Sequence, residues 1–497
     1  METSSVSRRS FVNAVGALAG GALLSQTSGC KQVGTSASKE ASSQGPADYT
    51  LTIAVKPVEL ASNRIISTTT YNGQFPGPLL RFKEGQSVTI DINNQTDTPE
   101  QLHWHGQFLS TDVDGAAEEG TPFIPPHGSR RITFVPKPSG YRFYHTHVHA
   151  GANLSAGHYT GLVGPVYIEP KNNPGNYDRE IFLTLKEFEP TLSRGGDMDM
   201  DFLSPAAVVK DLKDSGESAM NASLAKGAPH GFEVGYDSFT INGRMLGSGE
   251  PIKVKQGERV LFHILNGSAT EIRSLALPGH SFAVVALDGN PIPRRVTVPG
   301  LWLGTAERVS AIVQMDHPGI WVMGDMASDD RQHGMGIVVE YAGQTGKPQW
   351  VAPKPFMWNY ALFGNSGAAA TPDQVIDMTF AKQNAAADGF NRWTINDAAF
   401  DEEHMYPMFQ VKQGKRYRLR MRNASDDIHP VHLHRHSFEL TRVAGQATSG
   451  VIKDVVMVGG YQEMEIDFVA DNPGLTLFHC HQQLHMDFGF MALFEYV

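Results

Sequence analysis

Leu80-Arg81-Phe82-Lys83-Glu84-Gly85 reads as a short alternating strand closed by a glycine turn. The same phrase returns as Ile252-Lys253-Val254-Lys255-Gln256-Gly257 and as Phe409-Gln410-Val411-Lys412-Gln413-Gly414. Nine residues past each glycine stands an asparagine: Asn94, Asn266 and Asn423. A second phrase keeps step with the first. Gly140, Gly319 and Gly474 each open a strand, and five residues later come His145-Thr146-His147, Gly324-Asp325-Met326 and His479-Cys480-His481. Agreement at fixed offsets makes the chain three copies of one unit. The many short alternating runs in each copy predict an all-β chain of three Greek-key β-sandwich domains spanning 49–170, 177–343 and 349–497. Lys171-Asn172-Asn173-Pro174-Gly175-Asn176 and Ala342-Gly343-Gln344-Thr345-Gly346-Lys347-Pro348 read as the linkers.

The bulk numbers agree. A chain of 497 residues is too long for one ordinary core. Its 41% hydrophobic and 19% charged residues describe a globular protein, and a net charge of −11 speaks against nucleic acid as a partner. Fifty glycines and 29 prolines among short apolar runs favour strands and turns over helices. One stretch, from Ser193 to Phe232, breaks the rhythm; it is polar and contains Asp197-Met198-Asp199-Met200-Asp201. It reads as a solvated loop, with a metal-capturing loop as the alternative.

His479-Cys480-His481 places one thiolate between two imidazoles. Side chains alternate faces along a strand, so His479 and His481 point one way and Cys480 the other, and one tripeptide can touch two metal sites. A thiolate with imidazoles suits copper, while imidazole alone suits copper, zinc, iron or nickel. The economical reading is a thiolate copper back to back with an imidazole-ligated cluster. Three more groups meet that need: His103-Trp104-His105, His145-Thr146-His147, and His429-Pro430-Val431-His432-Leu433-His434. His432 and His434 share a face, whereas His429, at an odd offset, can turn to the side of Cys480. His485, five residues past Cys480, completes a two-His, one-Cys set of the blue-copper kind. The other eight histidines form four same-face pairs.

His103 and His432 each lie eighteen residues past the glycine of their copy, where the middle copy has Ala276 and Pro278 if one inserted residue is allowed. The outer copies are thus placed to share a cluster at their interface, and the middle copy is a spacer or a substrate wall.

At the N-terminus, Ser7-Arg8-Arg9-Ser10-Phe11 and the apolar run Val12 to Leu24 resemble a twin-arginine export signal, with 1–30 as the leader. The run is too short to remain as a membrane span. An exported protein, periplasmic or at the cell surface, is expected. Thr27-Ser28-Gly29-Cys30 looks like a weak lipobox, and acylation of Cys30 would anchor a lipoprotein through the flexible spacer 31–48; plain cleavage nearby would leave it untethered. Cys30 and Cys480 are the two cysteines of the chain, so metal binding by Cys480 leaves Cys30 without a disulfide partner.

Taken together, His103-Trp104-His105-Gly106, His145-Thr146-His147, His429 to His434 and His479 to His485 closely resemble the motifs HxHG, HxH, HPxxHxH and HCHxxxH of the multicopper oxidase family, and in particular its three-domain laccase-like bacterial enzymes. The likeness covers nearly the whole chain after residue 50. It implies three cupredoxin-like domains and four copper ions. By resemblance, His429, Cys480 and His485 would bind the type 1 copper, His103 and His432 the type 2 copper, and His105, His145, His147, His434, His479 and His481 the two type 3 coppers. Cys480, bonded through the backbone to His479 and His481, would carry electrons to the cluster, where O2 becomes water.

Acids near the cluster matter because that reduction consumes protons. Asp114 matches a family acid on the type 2 side; its alternative is a turn aspartate before Gly115. The acid often found after the last type 1 histidine is replaced by Met486, and Asp487 is the candidate substitute. The axial position of type 1 copper falls on Phe490, which cannot coordinate, unless a one-residue shift brings Met491 onto the metal. Without a thioether a relatively high potential is expected. Arg435 stands where the third motif usually has glycine, either beside the cluster or facing solvent. His149, His158, His280 and His436 read as packing or supporting residues.

The function expected is oxidation of phenols or aromatic amines, with O2 and a small reductant as partners. One alternative is a metallo-oxidase for Cu(I), Fe(II) or Mn(II), which would need a soft or carboxylate site near His485, with Met198, Met200, Met405 and Met408 as candidates. The other is a copper-binding protein without turnover. Nitrite reduction fits poorly, because that relative lacks the complete type 3 set.

Overall fold

The alternation of apolar and polar residues that marks Leu80–Lys83, Ile252–Val254 and Phe409–Val411 produces short strands with one buried face. A computed structural model describes residues 45–171, 175–193, 209–225, 231–387, 389–401 and 405–497. The leader, Cys30 and Asp197–Asp201 lie outside them. Among the described residues the strands form six sheets, two in each third of the chain.

One pairing scheme recurs three times. In each third a long first strand lies parallel to the strand that ends in the repeated asparagine: Tyr49–Ala61 with Val88–Asn94, Arg179–Ser193 with Arg259–Asn266, and Gln374–Ala387 with Arg416–Asn423. The short strand before the repeated glycine lies parallel to the last strand of its third: Leu80–Lys83 with Val163–Glu169, Ile252–Val254 with Gly336–Tyr341, and Phe409–Val411 with Met491–Tyr496. Other neighbours are antiparallel, as Greek-key sandwiches require.

The repeated residues have local reasons. Gly85, Gly257 and Gly414 have φ of +78°, +85° and +79°, a region where a side chain is strained. Each asparagine is buried and its amide donates to loop carbonyls: Asn94 to Thr98, Ile124 and Pro125, Asn266 to Glu271 and Leu303, Asn423 to Asp427, Val458 and Gly459. Its oxygen accepts from the amide two residues on, at Thr96, Ser268 and Ser425. An apolar residue there would leave several buried carbonyls unpaired, at about 1–3 kcal/mol each.

The middle third is built alike where ligands are missing. His103 stands opposite His145 and His432 opposite His479, and the corresponding pair is Ala276 opposite Gly324. Polar side chains fill the adjoining space: Asp325 accepts from Ser274 N and Oγ, and Arg273 pairs with Glu187 and Asp330.

The apolar core of the second third runs on into the last, while the first has its own. A small cluster containing Phe143, Val163, Leu265, Ala306 and Val455 joins all three. The expected loop between Ser193 and Phe232 is in part a helix, Lys210–Ala225. Its polarity hides a narrow buried side: Leu212 is buried, and at Gly216 the backbone comes so close that a Cβ would meet the carbonyl oxygen of Ala424. No helix among the described residues is long and apolar enough to cross a membrane.

Candidate metal centre

Strand Thr476–Cys480 ends on the cysteine and pairs with His429–Leu433, so Val431 stands opposite Cys480. The short helix Gln483–Asp487 returns His485 to the thiol. Cys480 Sγ lies 3.7 Å from Nδ1 of His429 and 3.5 Å from Nδ1 of His485, with the two nitrogens 3.1 Å apart. The Ser425 hydroxyl donates to Asn423 Oδ1 at 2.7 Å, so its oxygen accepts from Nε2–H of His429 at 2.9 Å and turns Nδ1 inward. Trp393 stacks on His485 with ring centres 4.1 Å apart, its indole N–H donating to Asp427 at 2.8 Å. All three donors are buried. Burial drives both imidazoles well below their ordinary pKa and pushes the thiol up, so the rings are neutral and the thiol gives up its proton on meeting a metal.

On the opposite face the eight other histidines gather from the first and last thirds. His105, His145 and His481 bring one ring nitrogen each within 4.8 Å of one another, as do His147, His434 and His479, and likewise His103, His105 and His432. The first two trios each mix both ends of the chain. His479 and His481 thus join different trios, as do His145 with His147 and His432 with His434, whereas His103 and His105 share the third.

Hydrogen bonds set most of the rings. Nδ1–H donates to Asp114 O from His103 at 2.9 Å, to Thr146 O from His145 at 2.6 Å, to Asp454 O from His432 at 2.6 Å, and to Cys480 O from His479 at 2.8 Å. His434 Nδ1 is 3.0 Å from Asp114 Oδ2. His105 is reversed, with Nε2 on Asp454 Oδ1 at 3.1 Å and Nδ1 toward His145 Nε2 at 3.4 Å.

This leaves Nε2 of His103 and His432, and both nitrogens of His147 and His481, buried without a hydrogen-bond partner, while Nε2 of His434 and of His479 face each other at 3.0 Å. Unpaired buried nitrogens converging on one spot are costly in a bare protein and are satisfied by a metal. Soft thiolate and neutral imidazole are the donors copper takes.

The predicted acids land in different places. Asp114 is buried between His103 and His434, its Oδ2 3.0 Å from Nδ1 of each. Asp487 accepts from Ala150 N, Gly151 N and Gln483 Nε2 at 3.0, 2.8 and 2.7 Å, and burial raises it to about 6. Sequence reasoning missed Glu118, Glu119 and Asp454. Glu118 accepts from His149 at 2.9 Å and lies 3.7 Å from Nδ1 of His147. Glu119 accepts from Leu477 N at 2.7 Å, and burial beside Asp114 raises its pKa. The signal for these two was two adjacent acids among Gly115, Ala116, Ala117 and Gly120.

Arg435 is buried and does not face solvent; it donates to carbonyl oxygens of both outer thirds. His158 packs against His145 with tilted rings whose centres are 4.4 Å apart, His280 bonds Tyr341, and His436 bonds Tyr496 at 2.7 Å. Met198 and Met200 lie outside the described residues.

A thiolate–imidazole trio back to back with clustered histidines, on Greek-key sandwiches, defines a cupredoxin-type metalloprotein. Multicopper oxidase family models match residues 53–173, 208–341 and 370–497. The multicopper oxidase MmcO of Mycobacterium tuberculosis is 30% identical, over 90% of this chain and 87% of its own length. Laccase-4 of Thanatephorus cucumeris is 25% identical over 82% of each chain. The solved structure of Fet3p, described as a multicopper oxidase that functions in iron import, superposes with a TM-score of 0.72 over 90% of each chain at 19% identity. The chain belongs to the multicopper oxidase family: it is a copper-dependent oxidoreductase that uses O2 and a reducing substrate.

Proposed function

We propose that the protein is a laccase-like oxidase that takes electrons singly from phenols or aromatic amines and passes four of them to O2, with four protons, to give water. In this reading His429, Cys480 and His485 hold the type 1 copper, His103 and His432 the type 2 copper, and His105, His145, His147, His434, His479 and His481 the type 3 pair. Copper bound there supplies the one-electron acceptor and the O2-reducing centre.

The observation that carries the reading is the position of Cys480. It belongs to one trio, and its covalent neighbours His479 and His481 belong to two others. The chain itself is therefore the route between the centres. Asp114, bridging His103 and His434, and Asp487 are the acids assigned to proton delivery. Domain limits of 49–170, 177–343 and 349–497, export by the leader and an anchor at Cys30 belong to the same proposal.

Surroundings of the Cys480 trio favour an aromatic reductant. Trp393 covers His485, and Phe390 stacks on Phe488 at 4.3 Å. The adjacent carboxylates of Asp426 and Asp427 are both taken up by Lys382, at 2.5 and 2.8 Å. A cation substrate would have to compete with that ammonium.

The test is O2 uptake by the copper-loaded protein, with a phenol and with Cu(I), Fe(II) or Mn(II), after its absorption spectrum is recorded. A blue thiolate band, a near-ultraviolet shoulder and phenol-driven uptake are expected. Uptake with metal ions alone would make it a metallo-oxidase, and both bands without uptake would make it a copper-binding protein without turnover.

A further inference from the structure

Among its described residues the middle third contributes none of the metal-donor trios, yet it reaches its neighbours' site. Arg308, the first residue of strand Arg308–Gln314, is fully buried and grips Asp454 with both ends of its guanidinium, Nη1 to Oδ1 and Nη2 to Oδ2, each at 2.6 Å. Arg142, from the first third, adds Nη1 to Oδ2 at 3.0 Å. The other donors of Arg308 go to carbonyl oxygens of Tyr141, Ala306 and Asp288 at 3.3, 2.9 and 3.2 Å, which leaves the group no second orientation. Asp288 aligns the two backbones, accepting from Arg308 N at 3.0 Å, Asp454 N at 3.2 Å and Val455 N at 3.1 Å.

Asp454 in turn touches two cluster histidines. Its Oδ1 is 3.1 Å from His105 Nε2, and its backbone oxygen is 2.6 Å from His432 Nδ1. A carboxylate gripped by two guanidinium groups accepts hydrogen bonds and has none to give. It accepts a hydrogen bond from Nε2–H of His105, which leaves the lone pair on Nδ1, the atom facing His145. This accounts for the reversed orientation of His105 among the cluster histidines. Gly106 gives independent support. Its φ is +76°, and a Cβ there would lie 2.5 Å from Asp454 Oδ2 and 2.9 Å from Arg308 Nη2. The glycine that closes His103-Trp104-His105-Gly106 is the clearance for this ion pair.

We infer that Arg308 and Asp454 are positioning residues for His105 and His432, and that the ligand-free second third, through Arg308, dictates which ring nitrogen of His105 meets the metal. The inference rests on the copper reading proposed above. It turns the middle third from a spacer into a part of the cluster's construction.

The experiment compares copper-loaded wild type with Asp454→Asn, Arg308→Lys, Arg308→Met and Gly106→Ala, and with Lys453→Met as a control. Lys453 sits in the same buried ion cluster but pairs with Asp288 and Glu307, both at 3.0 Å. Copper affinity is measured by competition dialysis, the Cys480 site by its blue band, and stability by thermal unfolding. Loss of a supporting partner lowers metal affinity about 10–100-fold, so Asp454→Asn and Arg308→Met are expected to shed cluster copper in that range while the blue band stays. Arg308→Lys keeps the charge but not the two-pronged grip and falls between. Gly106→Ala, which removes no charge, tests the idea should the ionic variants fail to fold. Lys453→Met is expected to lose thermal stability and keep its copper. Wild-type copper affinity in the Asp454, Arg308 and Gly106 variants that fold would overturn the inference, as would equal loss from Lys453→Met. A wild type without either absorption band would instead overturn the copper reading.

Discussion

The ring of Phe490 stands edge-on to that of His429 with 4.6 Å between centres, while Met491, next in the strand, packs the other way against Ala116, Leu477, Met486 and Leu493. Cys480 N donates to Phe490 O at 3.1 Å and Phe490 N to His485 O at 3.0 Å, which locks the register and keeps the Met491 thioether away from the Cys480 trio. Phe490→Met should therefore add a donor where none exists and lower the potential of the Cys480 centre. Each ~59 mV lost makes electron uptake from a given phenol about tenfold less favourable. A redox titration of the blue band reads the shift; an unmoved potential would mean that side chain 490 does not reach the metal.

Cys480→Ser should abolish the blue band and reductant oxidation together. The thiol is buried, and serine fills nearly its volume, so thermal unfolding should move little. Cluster copper should remain, since His479 and His481 point to the opposite face. Residual oxidation near the wild-type rate would remove Cys480 from the electron route.

Glu100 predicts a pH dependence of stability. Burial raises its pKa from 4.5 to about 7, against the hydrogen bond from Thr146 at 3.1 Å, which lowers it. The folded state thus holds the proton more tightly than the unfolded state. Its stabilising contribution is complete below pH 4.5 and is lost as pH rises toward about 7. At roughly 1.4 kcal/mol per pKa unit, the swing is on the order of 3 kcal/mol. Glu100→Gln should flatten the curve over that window and gain on wild type above it, as followed by urea midpoints from pH 4 to 8. Parallel curves for the two proteins would exclude this source.

Strand faces were legible in the sequence because a period of two is local geometry: the opposed faces of Cys480 and His479, and the turn of His429 away from His432, need no tertiary knowledge. The pairing of Ala276 with Gly324 follows from the same offsets that align His103 with His432. Asp454 was not legible. It lies in Ile452-Lys453-Asp454-Val455, which reads as an ordinary strand, and only the packing of three copies brings Arg142 and Arg308 onto it. Helix Lys210–Ala225 was missed because its buried side is too narrow to outweigh a polar composition.

Arg435 supplies the last prediction. It occupies the position in the last third that Gly106 holds in the first, at a φ of +61° that costs a side chain about 1–2 kcal/mol. Gly106 has no room for a Cβ, whereas Arg435 uses its own space to satisfy backbone. Nε donates to Leu109 O at 2.9 Å, Nη1 to Leu475 O at 2.6 Å and Thr476 Oγ1 at 3.1 Å, and Nη2 to Asn472 O at 3.0 Å and Pro473 O at 2.7 Å. Leu109 belongs to the first third and the others to the last, so one cation staples the two ends of the chain beside Asp114 and Glu119. Arg435→Met strands these acceptors, and with buried unpaired carbonyls costing about 1–3 kcal/mol each, a loss of at least about 3 kcal/mol is expected. Arg435→Lys should recover only part of it, because an ammonium has three donors and lacks the planar fork. Denaturant midpoints measure the loss. The blue and near-ultraviolet bands should survive at low temperature; their disappearance in a variant of unchanged stability would make Arg435 a support of the cluster and not of the chain.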